Sequence, residues 1–253
     1  MTNTAEPITQ PNPTLDLLKA HRSIRAFKPE PVPEADIHTA VAAGQMASTS
    51  SAVQAYCAIR ITDQAKREQI ADLCGPQPKV AQCGCFMVIC ADTRKHRLCA
   101  HRDGHPYQAK LEAFLVGAID ASLFAEKMVI AFESMGYGIC YIGGLRNHLD
   151  QIVELLDIPE GVYPLYGLCI GVPDESPSMR PRLAVESVLY NDRYPADEEV
   201  ADQLAEYDTR YEQYLKDRGA NPTTWSTIMG AKYTEARRVN LASVYQSLGA
   251  DLS

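Results

Sequence analysis

The sequence has no long apolar run free of charge, and this excludes a membrane-spanning helix. Its longest apolar stretch, residues 111–135, is interrupted by five charged side chains. A bilayer span of roughly 20 residues rarely carries so many. Residues 1–13 are polar and proline-containing, without the apolar core of a secretory signal. We therefore expect a loose N-terminal arm, no membrane partner and a cytoplasmic protein.

Glycine and proline are not in large excess, and basic residues are fewer than acidic ones. The 15 glycines and 16 prolines are too few for a collagen-like or low-complexity chain, and 46% apolar residues is an ordinary globular value. The 24 lysines and arginines against 32 acidic residues give a net charge of −8. Such a surface repels phosphate backbones, so we expect no nucleic-acid partner.

Familiar nucleotide-binding and hydrolase motifs are also missing. No Gly-x-Gly-x-x-Gly opens a helix, and no P-loop sequence occurs. The Gly-x-Ser-x-Gly elbow and the His-Glu-x-x-His motif are absent as well. These absences argue against the usual dinucleotide-binding folds, and we assign no side chain as a catalytic acid or base.

Eight cysteines are present, but no two form a Cys-x-x-Cys pair. In a cytoplasmic chain of this length an even count does not indicate disulfides, and buried free cysteine acts as a small apolar residue. A metal site built from Cys99, His101 and His105, with Cys83 and Cys85 upstream, is a minor alternative. We expect no metal.

Hydrophobic periodicity predicts helices and strands without regular βα alternation, which favours an α+β fold. We expect one domain over residues 14–253, with residues 173–253 as an extended excursion over another surface. The predicted helices are 15–20 (capped by Thr14), one opened by Pro33, 64–73, 111–135, 147–156, 197–217 and 234–248, and the predicted strands are 56–62, 85–91, 139–142 and 165–172.

The predicted helix 111–135 is apolar around most of its circumference. A helix of this kind must be covered on nearly all sides. One domain of this size rarely encloses so long a helix, so the pattern favours a dimer interface. A central core helix is the alternative.

Three segments combine cations or hydroxyls in a pattern that suits an anion. His21–Arg25 carries two guanidinium groups three residues apart, which share a side if the turn is helical. In Arg180-Pro181-Arg182 the proline restricts the backbone, so the two arginine side chains are expected to face the same way. Ser48–Ser51 offers hydroxyl donors. Solvated basic turns and plain serine turns are the alternative interpretation.

A fourth segment, Tyr141–Arg146, places paired glycines directly after a strand, where a backbone can approach a flat ligand closely. These four segments, together with Arg60–Asp63, Gly75–Gln82 and Gly167–Gly171, resemble the flavin-dependent nitroreductase superfamily. The similarity is to its branch of bacterial oxygen-insensitive NADPH nitroreductases and NADPH–flavin oxidoreductases. The resemblance implies an α+β fold with an antiparallel-rich central sheet flanked by helices. It also implies an intertwined homodimer in which residues 173–253 extend over the partner, with FMN at each interface.

The resemblance further implies which residues bind FMN. The first basic motif and the late arginine pair hold the phosphate, while the hydroxyl run, a glutamine and the strand end lie near the flavin. The implied cofactor residues are His21, Arg22, Ser23, Arg25, Thr49, Ser50, Ser51, Gln77, Tyr141, Gly143, Gly144, Arg180 and Arg182. Arg218 is implied to bind the nicotinamide dinucleotide. Further arginines expected after Arg218 are absent, so use of both NADPH and NADH is expected.

The implied activity is a ping-pong hydride transfer from NAD(P)H through FMN to nitroaromatics, quinones or free flavin. The missing arginines keep an alternative open, a flavin-binding or sensing protein with little turnover. Cys99 is the one thiol with basic neighbours in the sequence, Arg97, His101 and Arg102, as a thiol of low pKa would have.

Overall fold

The computed structural model describes residues 11–108 and 110–253, so most of the predicted arm lies outside the described residues. The chain forms two compact units. The first contains the described residues up to Ser176 together with Asn240–Ser253, and the second is Pro177–Val239.

The helices are α1 Pro13–Lys19, α2 Glu34–Gln45, α3 Gln64–Leu73, α4 Lys79–Gln82, α5 Arg94–Arg102, α6 Leu111–Ser134, α7 Leu149–Leu155, α8 Asp197–Asp217, α9 Trp225–Lys232 and α10 Leu241–Ser247.

Four antiparallel strands form the sheet of the first unit. They are β1 Tyr56–Arg60, β2 Cys85–Asp92, β3 Gly138–Ile142 and β4 Val162–Gly171, in the order β1-β2-β4-β3. All of β2 is buried, and so is β4 apart from Tyr166. Inner strands covered on both faces read as continuous apolar runs, which is why these two strands were predictable. The predicted α+β class with an antiparallel sheet is confirmed.

Helix α6 packs against the sheet with one face and leaves another uncovered. Phe124, Met128 and Phe132 are buried in the core. On the opposite side four apolar residues at i, i+4 spacing are 40–56% exposed in the single chain: Leu111, Leu115, Ile119 and Leu123. We call these four residues the α6 stripe. A single chain therefore does not bury this helix on nearly all sides, as the sequence pattern predicted.

Two predicted helices differ at their ends for identifiable reasons. Helix α1 begins at Pro13 because the side chain of Asn12, not Thr14, accepts a hydrogen bond from the N–H of Leu15 at 3.1 Å. The last two residues of the predicted arm therefore belong to this helix and its cap.

The predicted helix 234–248 is wrong over its first half, since only Leu241–Ser247 is helical. Arg238 has a φ of +55°, which no right-handed helix accommodates.

The second unit contains α8 and the unpredicted helix α9. The bounds of α8 match the prediction, 197–217. Tyr207 of α8 is buried, stacks edge-on against Trp225 at 5.8 Å and donates to the carbonyl of Pro181 at 2.9 Å. The side chain of Thr224 caps α9 by accepting from the N–H of Thr227. Among residues 11–108 and 110–253 no helix is long and apolar enough to cross a membrane.

Candidate functional site

The basic segment His21–Arg25 runs extended beside strand β3. Ser23 forms an isolated parallel bridge with Ile139, and the N–H of Ile24 donates to the carbonyl of Ile139 at 2.8 Å. The segment is therefore not a helical turn, the condition under which the two guanidinium groups would share a side, because its backbone pairs with a strand. The pairing places the basic segment alongside β3, the strand that carries Tyr141.

The carboxylate of Glu175 is hydrogen-bonded to the backbone of Arg25 and not to its guanidinium. Glu175 accepts hydrogen bonds from the N–H groups of Arg25 and Ala26, the second at 3.2 Å. The Arg25 side chain donates to the carbonyl of Ser23 at 3.2 Å. Within the described parts of the chain, the Arg25 guanidinium has no ion pair. Its charge is thus available to an anion.

His21 and Arg22 line a cavity of about 320 Å³ in the first unit. His21 Nδ1 lies 2.7 Å from a carboxylate oxygen of Glu133, and Arg22 donates to the hydroxyl of Ser176 at 3.4 Å. These contacts hold both side chains against residues that also line the cavity, Glu133 and Ser176.

Asp120 of α6 holds the segment Thr49–Ser51 in place through hydrogen bonds to its backbone and to the residues that follow. From the sequence, Asp120 was read only as an interruption of an apolar helix. Its carboxylate accepts from the N–H groups of Ser50 and Ala55, each at 3.1 Å, and is 1% exposed. Between these anchors Ser51 and Ala52 have φ values of +45° and +58°. A buried carboxylate that receives two backbone donors holds this left-handed backbone in place.

Thr49, Ser50 and Ser51 therefore lie together on one short turn, in which Thr49 is half-buried and the two serines are exposed. The signal that could have revealed the anchor is a single acid beside Ala121, on the core-facing side of α6.

The end of β3 opens onto a second cavity, of about 510 Å³, which Tyr141, Gly143 and Tyr166 line. The Tyr141 hydroxyl donates to Glu126 at 3.0 Å, and its ring meets that of Tyr166 edge-on at 5.4 Å. Burial, and then the nearby Glu126 carboxylate, raise the pKa of Tyr141 far above its ordinary value. Its hydroxyl is therefore protonated throughout the physiological range. Leu123 of the α6 stripe also lines this cavity.

The two glycines after β3 have different surroundings. A side chain at Gly144 would collide with the carbonyl of Cys74 and the amide of Gln77, whereas one at Gly143 would meet only Arg146, at 3.5 Å. Gln77 itself donates to the Cys74 carbonyl at 2.8 Å. Gly144 thus serves the packing of the loop that carries Gln77, and Gly143 leaves the cavity open.

In the second unit Tyr214 brings two predicted cationic residues together. Arg218 donates to its hydroxyl at 2.6 Å, and Arg180 also forms a hydrogen bond with it. Burial opposes ionisation of Tyr214, but the hydrogen bonds from both arginines outweigh it and lower the pKa. Arg182 donates to the carbonyl of Arg180 at 3.0 Å. The sequence reasoning missed Tyr214, although its position four residues before Arg218 on one helix is a usable signal.

The suggested metal ligands do not form a centre. Among the residues that the structure describes, no three histidine, cysteine or acidic side chains converge as a metal site. Cys99 is exposed on α5, whereas Cys83 after α4 and Cys85 in β2 are both buried.

Comparisons with known proteins agree with this geometry. Residues 18–172 match the nitroreductase family, and residues 180–253 match the C-terminal domain of the nitroreductase family. The oxygen-insensitive NADPH nitroreductase of Salmonella typhimurium is 41% identical over 219 residues, which cover 85% of this chain and 88% of that protein. The FMN reductase (NADPH) of Bacillus subtilis is 40% identical over 221 residues, covering 85% and 89%.

A solved structure shows the same fold. NfrA1 of B. megaterium superposes with a TM-score of 0.92 at 35% identity, over 95% of this chain and 100% of the other. The resemblance inferred from the sequence is thereby confirmed: the chain belongs to the nitroreductase family.

Proposed function

We propose that this protein is an FMN-dependent NAD(P)H oxidoreductase that reduces small acceptors such as nitroaromatics, quinones or free flavin. Relatives at 40–41% identity are an NADPH nitroreductase and an NADPH-dependent FMN reductase. The observation that carries the proposal is the chemistry of the donor set. Three arginines at the family's phosphate positions, Arg25, Arg180 and Arg182, have no ion-pair partner within the described residues.

The residues present fit a flavin mononucleotide. A phosphate dianion needs guanidinium donors, which the basic segment presents in the first unit, and the turn at Thr49–Ser51 presents hydroxyl and backbone donors for the polar edge of the flavin. A flat ring needs an uncrowded backbone, which Gly143 provides beside a cavity of about 510 Å³. In the second unit Arg180 and Arg182 contribute two further donors. That these arginines act on the same phosphate as Arg25 stays a prediction from the family resemblance.

When bound, FMN would supply the hydride-transfer chemistry between NAD(P)H and the acceptor. The chain supplies binding and placement. Asp120 holds the turn that carries Thr49–Ser51, so the donors are in position before the ligand arrives. Tyr141, which is neutral and bonded to Glu126, keeps the cavity wall at the end of β3 fixed. No side chain is assigned as a proton donor or acceptor in the reaction.

Arg218 is the residue we assign to the nicotinamide dinucleotide. Its bond to Tyr214 orders the guanidinium at the end of α8. The loop after it, residues 219–224, contains no other arginine or lysine. One cation discriminates less well than several against a dinucleotide without the 2′-phosphate, so we expect NADPH to be used with NADH as a weaker substitute.

The α6 stripe supports the proposal of a homodimer. Four large apolar side chains in a row on one helix form an exposed apolar face, which is typical of an interaction surface. Members of the family are typically homodimers. Leu123 belongs both to the stripe and to the cavity at Tyr141, so association would close that cavity from the side of α6. We also propose that the protein is cytoplasmic, since all eight cysteines are free thiols.

Anaerobic titration of the purified protein with NADPH, followed at the visible flavin band, tests the function. A yellow protein that bleaches stoichiometrically is the expected result. A yellow protein that bleaches with neither NADPH nor NADH would identify a flavin-binding protein without turnover. A colourless protein that gains no flavin band with added FMN would contradict the whole assignment.

A further inference from the structure

Two cysteine thiols, Cys83 and Cys169, lie side by side in a part of the first unit that the proposed flavin chemistry does not use. Cys83 follows α4 and precedes β2, while Cys169 is in β4. The N–H of Cys83 donates to the carbonyl of Lys79 at 3.0 Å, and the thiol of Cys169 donates to the same carbonyl at 3.6 Å. Both residues are buried, at 2% and 0% exposure. The two thiols are therefore neighbours around one carbonyl, a pairing that the sequence did not indicate.

Arg67 of α3 is aimed at one sulfur of this pair. Its Nη2 lies 3.3 Å from Cys83 Sγ, and the same guanidinium donates to the carbonyls of Cys83 and Val80. The Cys83 thiol in turn donates to the carbonyls of Cys85 at 3.1 Å and Val80 at 3.5 Å. A guanidinium fixed beside a sulfur favours its thiolate form.

The two thiols consequently differ in acidity. The hydrogen bond from Cys169 lowers the pKa of Cys83, and Arg67 and the N–H of Ile170 add to this against the opposing effect of burial. Burial, together with Cys83, raises the pKa of Cys169 well above its ordinary value. One sulfur is thus suited to attack, and its neighbour stays protonated until needed.

A cavity of about 550 Å³ leads to Cys83. Its polar lining includes Arg67, Gln64 and Gln82, with Glu30 as the one carboxylate. Since Cys83 itself is almost wholly buried, a bulky disulfide substrate cannot reach its sulfur. A small uncharged oxidant of the hydroperoxide class can, and the negative charge of Glu30 does not repel it.

We propose that Cys83 and Cys169 form an oxidisable thiol pair, in which Cys83 reacts with a hydroperoxide and Cys169 closes an intramolecular disulfide. The Cys83 thiolate attacks the peroxide oxygen, an S–O bond forms, the O–O bond breaks, and the departing oxygen takes a proton. Cys169 then attacks the Cys83 sulfur, the S–S bond forms, and the hydroxyl leaves as water with the Cys169 proton. Two thiols and one hydrogen peroxide give one disulfide and two waters.

The test uses the flavin-loaded protein without nicotinamide, treated with hydrogen peroxide at pH 7, unfolded in alkylating reagent and digested. The expected product is a peptide pair joined through Cys83 and Cys169, lighter by two hydrogens than the thiol form. Cys169→Ser should leave Cys83 as a sulfenic acid that dimedone labels, and Cys83→Ser should leave Cys169 unmodified. Because mass is the readout, the outcome is independent of the proposed reductase activity.

Matched variants separate the pair from general oxidation. Cys90→Ser alters the buried cross-strand neighbour of Cys57 and should leave the yield of the Cys83–Cys169 disulfide unchanged. Arg67→Gln should slow its formation by about tenfold, the effect of roughly one pKa unit on the thiolate population. The Arg67 variant is scored only if its circular dichroism matches that of the unaltered protein, and the serine variants are decisive without it.

Three outcomes would overturn the proposal. The first is that Cys83 stays fully alkylatable at peroxide doses that oxidise the exposed Cys99. The second is a disulfide between Cys169 and Cys140, its direct partner across β3 and β4. The third is dimedone labelling of Cys83 in the unaltered protein to the same extent as in Cys169→Ser, which would show that Cys169 does not resolve the sulfenic acid.

Discussion

The guanidinium of Arg218 lies 5.2 Å from the ring centre of Tyr214 and donates to the hydroxyl of the same tyrosine at 2.6 Å. A long surface side chain is thereby fixed by two contacts to one neighbour at the end of α8. Such ordering reduces the entropy that the side chain loses when it binds a phosphate. The arginine proposed to bind the dinucleotide is thus already ordered.

Arg218→Ala should raise the KM for NADPH by about tenfold, the loss expected for one charge-assisted hydrogen bond. The KM for NADH should change much less, because NADH has no 2′-phosphate. Tyr214→Phe, which keeps the ring and removes the hydroxyl, should shift the KM for NADPH in the same direction by a smaller factor. Steady-state kinetics with both donors provides the measurement, and equal effects on both would remove the 2′-phosphate from the assignment.

Arg182→Ala should weaken FMN binding by at least about tenfold, since charge-assisted bonds to phosphate contribute roughly 1.5–3 kcal/mol each. The measurement is titration of the flavin-free protein with FMN, followed by quenching of flavin fluorescence. Arg193→Ala is a matched control in the same unit. Arg193 is exposed, and its ion pair with Glu199 is long, at 4.0 Å. Unchanged flavin affinity in the Arg182 variant would exclude this residue from the site.

Asp120→Asn should lower both the free energy of unfolding and the affinity for FMN. An amide can accept from one of the two backbone N–H groups at Ser50 and Ala55 but presents its own donor to the other, at a cost of about 1–3 kcal/mol. Urea denaturation measures the first effect and flavin titration the second. Glu112→Gln, at an exposed position of the same helix, should change neither. A variant as stable as the unaltered protein would mean that the anchor does not support the turn.

Ile119→Asp should convert the proposed dimer into a monomer. A carboxylate in the middle of the α6 stripe cannot be buried against a second apolar stripe without a large desolvation penalty. Light scattering coupled to gel filtration measures the mass. Leu98→Asp, at a similarly exposed leucine on α5, should leave it unaltered. A monomeric parent protein at micromolar concentration would contradict the prediction at once.

The hydrogen bond between Tyr137 and Asp36 should give stability with a defined pH window. The bond to Asp36 is the main cause that raises the pKa of Tyr137 to about 12, from an ordinary value of 10. A raised pKa means that the stabilising contribution is complete below pH 10 and is lost as the pH rises toward 12. Tyr137→Phe should therefore be less stable than the parent in urea at pH 8, and the difference should shrink at pH 11. A constant difference would show that the contact does not depend on the phenol proton.

Local signals in the sequence accounted for most of the secondary structure. The all-buried strand β2 follows from its unbroken apolar run, and α8 follows from its charged, periodic pattern between Pro195 and Gly219. The helix predicted at 234–248 failed because backbone conformation at Arg238 depends on its surroundings, and residue type alone does not report it.

The candidate site was predicted through family resemblance, segment by segment, but the contacts that support it were not. Asp120 reaches residues 65 and 70 positions away. Cys83 likewise lies near Cys169, 86 positions away in the chain, because both contact the carbonyl of Lys79. Such long-range pairs follow from topology, which the sequence of either partner does not contain.

Helix α6 carries Ile119 of the exposed stripe and, at the next position, Asp120, which anchors the turn proposed to bind FMN. Self-association and cofactor retention are therefore expected to be thermodynamically linked through one rigid element. Dilution that separates the subunits should promote loss of flavin, and saturating FMN should tighten the association by the same factor. The colour of the protein would then depend on its concentration.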